Sequence, residues 1–259
     1  MKVLAIGDIF GRPGRAIVSS KLAKLKEELG ADFLVVNWEN ASGGKGVSES
    51  NAKDMLRVKE VDVFTSGNHI WDKKDINNLI QENERMIRPA NYPAPCPGRG
   101  HNIYRCGDKR IGVVNLSGTV FMENLANPFL LFDEIYEKIK TCDIICVDFH
   151  AETTSEKIAF GYYVDGRATC VWGTHTHVQT ADERVLSGGC GYITDLGMTG
   201  PLDGVIGVSK EIIIKAFVTQ RRVRHETAME GPTQVNGALF TIDDVSNKCV
   251  DVQRVRRIY

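Results

Sequence analysis

Gly173-Thr174-His175-Thr176-His177-Val178 follows a short apolar run at residues 168–172. Alternate residues of an extended strand end point to the same side, so His175 and His177 can aim both imidazoles into one pocket. Imidazole is the commonest metal-binding side chain. Alone, an H-x-H pair fits an exposed polar loop as well as a metal site. The choice turns on whether other strands also end in ligand-type residues, and the same question decides the fold.

Upstream, residues 2–7 form an apolar run that ends in Gly7-Asp8 and reads as a buried strand. Pro13 suits the first turn of a helix, whose stripe Ile17, Leu22, Leu25 and Leu29 is closed by Gly30. Residues 33–37 give a second strand, followed by Glu39-Asn40, the flexible loop Gly43–Gly46 and a helix over 48–58. A third strand at 61–65 ends at Gly67-Asn68-His69, before a helix near 74–81. This β-α-β-α-β-α order predicts a parallel sheet with helices on both faces.

Residues 86–100 read as a long loop, and 111–116 as a strand. An irregular stretch at 117–130 is placed to cover a site. A helix over 132–140 precedes a strand over 144–149 that ends at His150, and a helix over 155–164 leads back to the H-x-H strand. The glycine-rich residues 188–208 read as loop, 210–218 as helix or strand, and 237–242 and 250–258 as antiparallel strands. The expectation is one domain over 1–259, with small cap elements from 117–130 and 197–230.

The 259 residues are 42% apolar and 25% charged, as in an ordinary globular enzyme. A net charge of −1 leaves no footprint for DNA or a membrane surface, and Arg254, Arg256 and Arg257 form too short a cluster to change that. No apolar run approaches the roughly 20 residues that span a bilayer. Seven cysteines without a C-x-x-C pair or a signal peptide predict reduced thiols and a cytoplasmic protein. Cys142 and Cys146 are read as packing residues. The apolar segment 212–218 suits a core or a subunit interface, and a homo-oligomer, dimer or tetramer, is expected.

Asp8, Glu39-Asn40, Asn68-His69, His150 and His175/His177 thus all fall at strand ends, with four of the six histidines among them. Open α/β sheets bind ligands at the carboxyl ends of their strands. Each residue alone has a plain structural role: Asp8 as a helix cap, Asn68 in a turn, His69 on the surface, His150 in a satisfied core. Together they make the inventory of a two-metal site, in which ions about 3.5–4 Å apart clamp the attacking and leaving oxygens of a displacement at phosphorus. Mixed nitrogen and oxygen ligands without cysteine suit manganese, iron or zinc rather than a closed structural zinc site.

The order Gly7-Asp8, Glu39-Asn40, Gly67-Asn68-His69, His150 and Gly173-Thr174-His175-Thr176-His177 resembles the calcineurin-like metallophosphoesterase superfamily. Phe10 stands where that superfamily has the histidine of D-x-H, Glu39 where it has a bridging aspartate, and Ile70 where it has an acid. These departures resemble the smaller bacterial YmdB-like family, which shares Gly7–Gly11, Asn37–Asn40, Gly67–His69, Gly173–His177 and Asp195–Pro201. The resemblance implies a layered α/β sandwich with mixed sheets flanked by helices and two metals, iron or manganese before zinc. It also implies a phosphodiesterase for cyclic nucleotides of the 2′,3′-cyclic AMP type.

The expected assignment gives one metal Asp8, Glu39, Asn40 and His177, with Asn40 replacing the histidine absent at position 10. The other takes Glu39, Asn68, His150 and His175, with Glu39 bridging. A bridging hydroxide would attack, and His69 would stay off the metals as proton donor. Phe121, Met198 and Thr199 are candidates to line a nucleotide pocket or simply to pack. The alternatives are a phosphatase or nuclease of the same superfamily, and a metal-binding regulatory or RNA-associated protein with little turnover.

Overall fold

The computed structural model describes all 259 residues. In chain order it contains β1 (Lys2–Ile6), β2 (Asp8–Ile9), α1 (Gly11–Leu29), β3 (Phe33–Asn37), α2 (Glu49–Leu56) and β4 (Val63–Thr65). A 3-10 turn (Asn68–Asp72) leads to α3 (Asn77–Glu82), β5 (His101–Cys106), β6 (Lys109–Ser117), α4 (Pro128–Ile139), β7 (Ile144–His150) and α5 (Thr154–Val164). Then come β8 (Cys170–Thr174), β9 (Arg184–Val185), β10 (Gly191–Ile193), β11 (Met198–Pro201), α6 (Lys210–Thr219), β12 (Thr233–Ile242) and β13 (Cys249–Ile258).

Local chemistry sets the helix ends. Gly30, at φ +61°, closes α1 in the left-handed conformation that glycine adopts at no steric cost. Ser48 caps α2 by accepting from the Asn51 N–H at 3.4 Å. Asn127 caps α4 by accepting from the Phe129 N–H at 2.9 Å, and Pro128 occupies its first turn. That Asn-Pro start places the helix four residues ahead of the expected 132, inside the stretch read as irregular.

The strands form two sheets. The first runs β2-β11-β12-β1-β3-β4, with β13 paired to β12. Its β1, β3 and β4 are parallel, and β12 is antiparallel to β1. The second runs β5-β6-β7-β8-β10-β9, with β6, β7, β8 and β10 parallel and the edge strands β5 and β9 antiparallel.

Period-two alternation sorts the strand residues into layers. Val3 and Ala5 meet Val113, Cys146, Trp172 and Phe240 between the two sheets. Leu4, Ile6, Leu34 and Val36 face the other way, under Ile17, Leu22, Leu25 and Met55 of α1 and α2. On the far side Val147 and Phe149 pack under Phe132, Ile135 and Phe160 of α4 and α5. The order of layers is helix, sheet, sheet, helix. This corrects the reading of a parallel sheet with helices on both faces: each sheet has helices on one face and its partner sheet on the other. Apolar strand runs require both faces covered and do not say by what.

β5 lay outside the expected elements because its residues alternate only between half-buried and exposed. β10 and β11 replace part of the loop expected over 188–208. Residues 210–218 are helical, and α6 buries Ile213 while Phe217 and Val218 face solvent. Cys146 is buried as a packing residue, whereas Cys142 is half-buried. No helix is long and apolar enough to cross a membrane.

Candidate metal centre

The rim where the carboxyl ends of both sheets meet collects the residues singled out above. Asp8 opens β2 directly behind β1, and Glu39-Asn40 follow β3. Asn68 starts the 3-10 turn behind β4, His150 ends β7, and His175 and His177 follow β8. Asp8, Glu39 and His150 are fully buried.

Donor atoms converge in two groups. Glu39, His150 and His175 place one potential ligand atom each within 4.8 Å of one another. Glu39 Oε2 lies 2.5 Å from His150 Nε2, which is 3.1 Å from His175 Nδ1 and 3.2 Å from Asn68 Oδ1. In the second group Asn40 Nδ2 donates to His177 Nε2 at 3.0 Å, and Asn40 Oδ1 is the oxygen left without a partner. Asp8 stands by the first group: Oδ2 accepts from the His175 N–H at 3.2 Å, and Oδ1 is 3.8 Å from His150 Nδ1. Gly67 permits this crowding, since a Cβ there would sit 1.7 Å from Glu39 Oε2 and 2.2 Å from His150 Nε2.

The hydrogen bonds around the imidazoles fix their tautomers. Thr174 Oγ1 donates its only proton to Asp148 Oδ1 at 2.7 Å, so its contact with His150 Nδ1 at 2.9 Å requires that nitrogen to donate. His150 Nε2 is then a bare lone pair. The His175 Nε2–H points at Glu152 Oε2, 3.0 Å away, which leaves Nδ1 as its lone pair. His177 Nδ1 donates to the Ile206 carbonyl at 2.9 Å, which makes Nε2 the lone pair that accepts from Asn40 Nδ2.

Lone pairs of His150, His175 and Asn68 therefore face one another beside a carboxylate, with no donor among them. A single proton can serve only one of these contacts, whereas a cation serves them all. Asp8 Oδ1, Glu39 Oε2 and Asn40 Oδ1 are also buried without partners, each at a cost of about 1–3 kcal/mol. The residues fit a metal ion.

Electrostatics agree. Burial, reinforced by Glu39, pushes the Asp8 carboxyl well up from its ordinary value. Burial likewise raises Glu39, against nearby histidines that pull it down. Burial drives His150 well down, and burial, reinforced by the neighbouring His150, lowers His175 to about 4. The unmetallated centre favours neutral groups, and a bound cation reverses that preference for the acids.

The H-x-H pair does not lie on an extended strand end, as its spacing suggested. β8 stops at Thr174, and His175 and His177 adopt φ of +98° and +65°, unusual for a residue with a side chain. Asp195 explains the turn. It accepts from the Thr176 N–H at 3.1 Å and its hydroxyl at 2.8 Å, and pairs with the buried Lys157 at 2.7 Å. His69 differs from the rest. Its N–H donates to Glu39 Oε1 at 3.2 Å, while its ring is half-buried and meets Asp72 Oδ2 at 3.0 Å.

Residue typing missed the supports. Asp148 accepts from Thr65, Thr174 and Asn37 in a buried site that raises it to about 6. Asn37 also accepts from the Glu39 N–H at 3.0 Å. A charge within the apolar strand 144–149, and a lysine within a helix that packs on the core, were the available signals. Phe121 is 89% exposed, whereas Met198 and Thr199 are buried beside Asp8 and Ile9 in the β2–β11 pairing.

A sequence profile of the YmdB-like protein family matches residues 4–255. The chain belongs to the YmdB-like family. A Bacillus subtilis relative, 2′,3′-cyclic-nucleotide 2′-phosphodiesterase, is 46% identical over 256 residues, spanning 98% of this chain and 96% of that protein. The crystal structure of a novel phosphatase from Mycoplasma pneumoniae aligns at a TM-score of 0.93 and 35% identity, covering 100% of this chain and 93% of that one. A hypothetical protein from Thermus thermophilus gives 0.92 and 34%, covering 100% and 99%. The YmdB-like chain has the metallophosphoesterase-type fold, with two mixed sheets flanked by helices.

Proposed function

We propose that this YmdB-like protein is a metal-dependent hydrolase of phosphodiesters acting on nucleoside 2′,3′-cyclic phosphates. One observation carries the reading: lone pairs of the buried Glu39 and His150 and the half-buried His175 and Asn68 converge without a donor, and Asp8 and Asn40 add unpartnered oxygens. Asp8, Glu39, Asn40 and His177 would hold one ion, and Glu39, Asn68, His150 and His175 a second, with Glu39 shared. When bound, the ions would supply Lewis acidity at phosphorus and lower the pKa of water. The substrate named for the Bacillus subtilis relative favours the cyclic nucleotide among phosphodiesters.

The chain's own groups do the rest. Thr174 with Asp148, and the Ile206 carbonyl, hold the imidazoles with their lone pairs inward. Asp72 accepts from His69 Nδ1, and the protonated ring can give its Nε2 proton to the ribose oxygen as the phosphorus–oxygen bond breaks. Ile206 belongs to residues 197–230, which in this reading form a rim over His177.

Assaying manganese- or iron-loaded protein on adenosine 2′,3′-cyclic phosphate, a phosphopeptide and single-stranded RNA tests the proposal. The cyclic nucleotide should turn over fastest. Loaded protein that hydrolyses no phosphodiester overturns the reading in favour of a regulatory metal-binding protein.

A further inference from the structure

Arg254, Arg256 and Arg257 are too few to mark an anionic partner by charge count, but the fold gives them a location. All three lie on β13 and line one cleft of about 590 Å³ whose wall includes His177. No carboxylate lines it. Glu183 meets Arg254 Nε at 2.7 Å, while Arg256 and Arg257 have no ion pair. A concave surface lined by one sign of charge concentrates the opposite ion. A guanidinium fork matches a phosphate with two parallel hydrogen bonds.

A second feature points to a ligand. Asn236, only 4% exposed, also lines the cleft. Its Nδ2 donates to the Met198 carbonyl at 2.9 Å, and its Oδ1 has no partner. A buried free acceptor beside guanidiniums suits a molecule that carries a hydroxyl as well as an anion, such as a ribose phosphate.

We infer that this cleft is a second phosphate subsite, which takes the 5′-phosphate of a nucleotide whose 2′,3′-cyclic phosphate lies at the metal centre. The inference rests on the function proposed above. A cyclic mononucleotide has one phosphate, which the metal centre takes, so the arginines would face nothing anionic. The 5′-phosphate can come from a monoester on a mononucleotide or from the internucleotide link of a short RNA ending in a cyclic phosphate.

The test compares kcat/KM for adenosine 2′,3′-cyclic phosphate, its 5′-phosphorylated form and a dinucleotide with the same cyclic end. It uses metal-loaded wild type, the Arg256→Ala/Arg257→Ala variant and the double Arg→Lys variant. The wild type should prefer a substrate with the second phosphate by on the order of tenfold or more, mainly through KM. That ratio should collapse toward one in the alanine variant and survive in part in the lysine variant.

Preference for the monoester alone assigns the cleft to mononucleotides, and preference for the dinucleotide alone assigns it to RNA ends. Equal kcat/KM for all three in wild type, or a ratio that survives in the alanine variant, overturns the subsite while leaving the phosphodiesterase intact. If nothing is hydrolysed, the function falls, and titration of adenosine 5′-phosphate against adenosine decides the cleft. Tighter binding of the phosphate form that the alanine variant loses supports it, and equal binding in both proteins overturns it.

Discussion

The two sheets bring opposite chemistry to the rim they share. The first, through β2, β3 and β4, delivers oxygens from Asp8, Glu39, Asn40 and Asn68. The second, through β7 and β8, delivers the imidazoles of His150, His175 and His177. The imidazoles arrive oriented, each with one nitrogen engaged by Thr174, Glu152 or the Ile206 carbonyl. On the oxygen side, Asp8 Oδ1, Glu39 Oε2 and Asn40 Oδ1 are buried with no donor. The fold therefore supplies geometry through one sheet and uncompensated acceptor capacity through the other, and a cation at the seam answers both.

The hardest test of that division removes charge from the oxygen side and leaves its shape. Glu39→Gln keeps an acceptor for the His69 N–H but loses the carboxylate facing His150. Phosphodiesterase activity should fall by about 10²–10³-fold, and elemental analysis should find less bound metal. A fully active variant would sink the two-metal assignment.

His69 is the imidazole on the oxygen side, and its ring bonds Asp72 rather than the cluster. The division predicts that it is no ligand. His69→Ala should retain both metals by elemental analysis yet lose about 10²-fold in kcat. Loss of metal in this variant would move His69 into the ligand set and blur the contrast between the sheets.

The two sides also differed in how far the sequence exposed them. Ligand-type residues stand out at strand ends because an apolar run stops there, and that brought Asp8, Glu39, His150 and the H-x-H pair into view. What orients them is spread through the interior. Asp148 is one acid in a strand otherwise read as core, Lys157 sits among buried helix residues, and Asp195 lies in a stretch read as loop. Their partners Thr65, Thr174 and Thr176 are ordinary residues until the sheets bring them together. The layering was hidden for a similar reason: alternating burial reveals that both strand faces are covered, while the identity of the cover is a long-range property. Gly67 stands out in the sequence as part of G-N-H, but only the approach of Glu39 and His150 shows why it has no Cβ.

Thr174→Val probes the orienting side with a smaller expected effect. It preserves bulk and removes the hydroxyl that receives the His150 Nδ1 proton and passes the interaction to Asp148. Metal affinity, measured by competition with a chelator, should weaken by about tenfold, and Thr174→Ser should restore it. Unchanged affinity in the valine variant would mean that packing alone orients His150.

The smallest effect separates the two sides by pH. In the metal-free protein the folded-state values of Asp8 and Glu39 are raised, so their contribution to stability is present below the ordinary carboxyl range and is lost as pH rises through the raised values. His175 has the opposite sign: lowered from 6.5 to about 4, it contributes above pH 6.5, and that contribution is lost as pH falls toward 4. Between pH 7.5 and 5.5 the folded imidazole thus stays neutral and open to a cation, and proton competition falls on the oxygens. Manganese(II) at 100 times its Kd adds about 2.7 kcal/mol, which for a chain of this size raises Tm by roughly 5–10 °C. Thermal melts with manganese(II) and with a chelator should give the larger difference at pH 7.5 and a smaller one at pH 5.5. An equal difference at both values would show that the carboxylates are already ionised without metal, and the oxygen side would then need a permanent positive partner within the protein that His150, His175 and His177, all depressed by burial, do not supply.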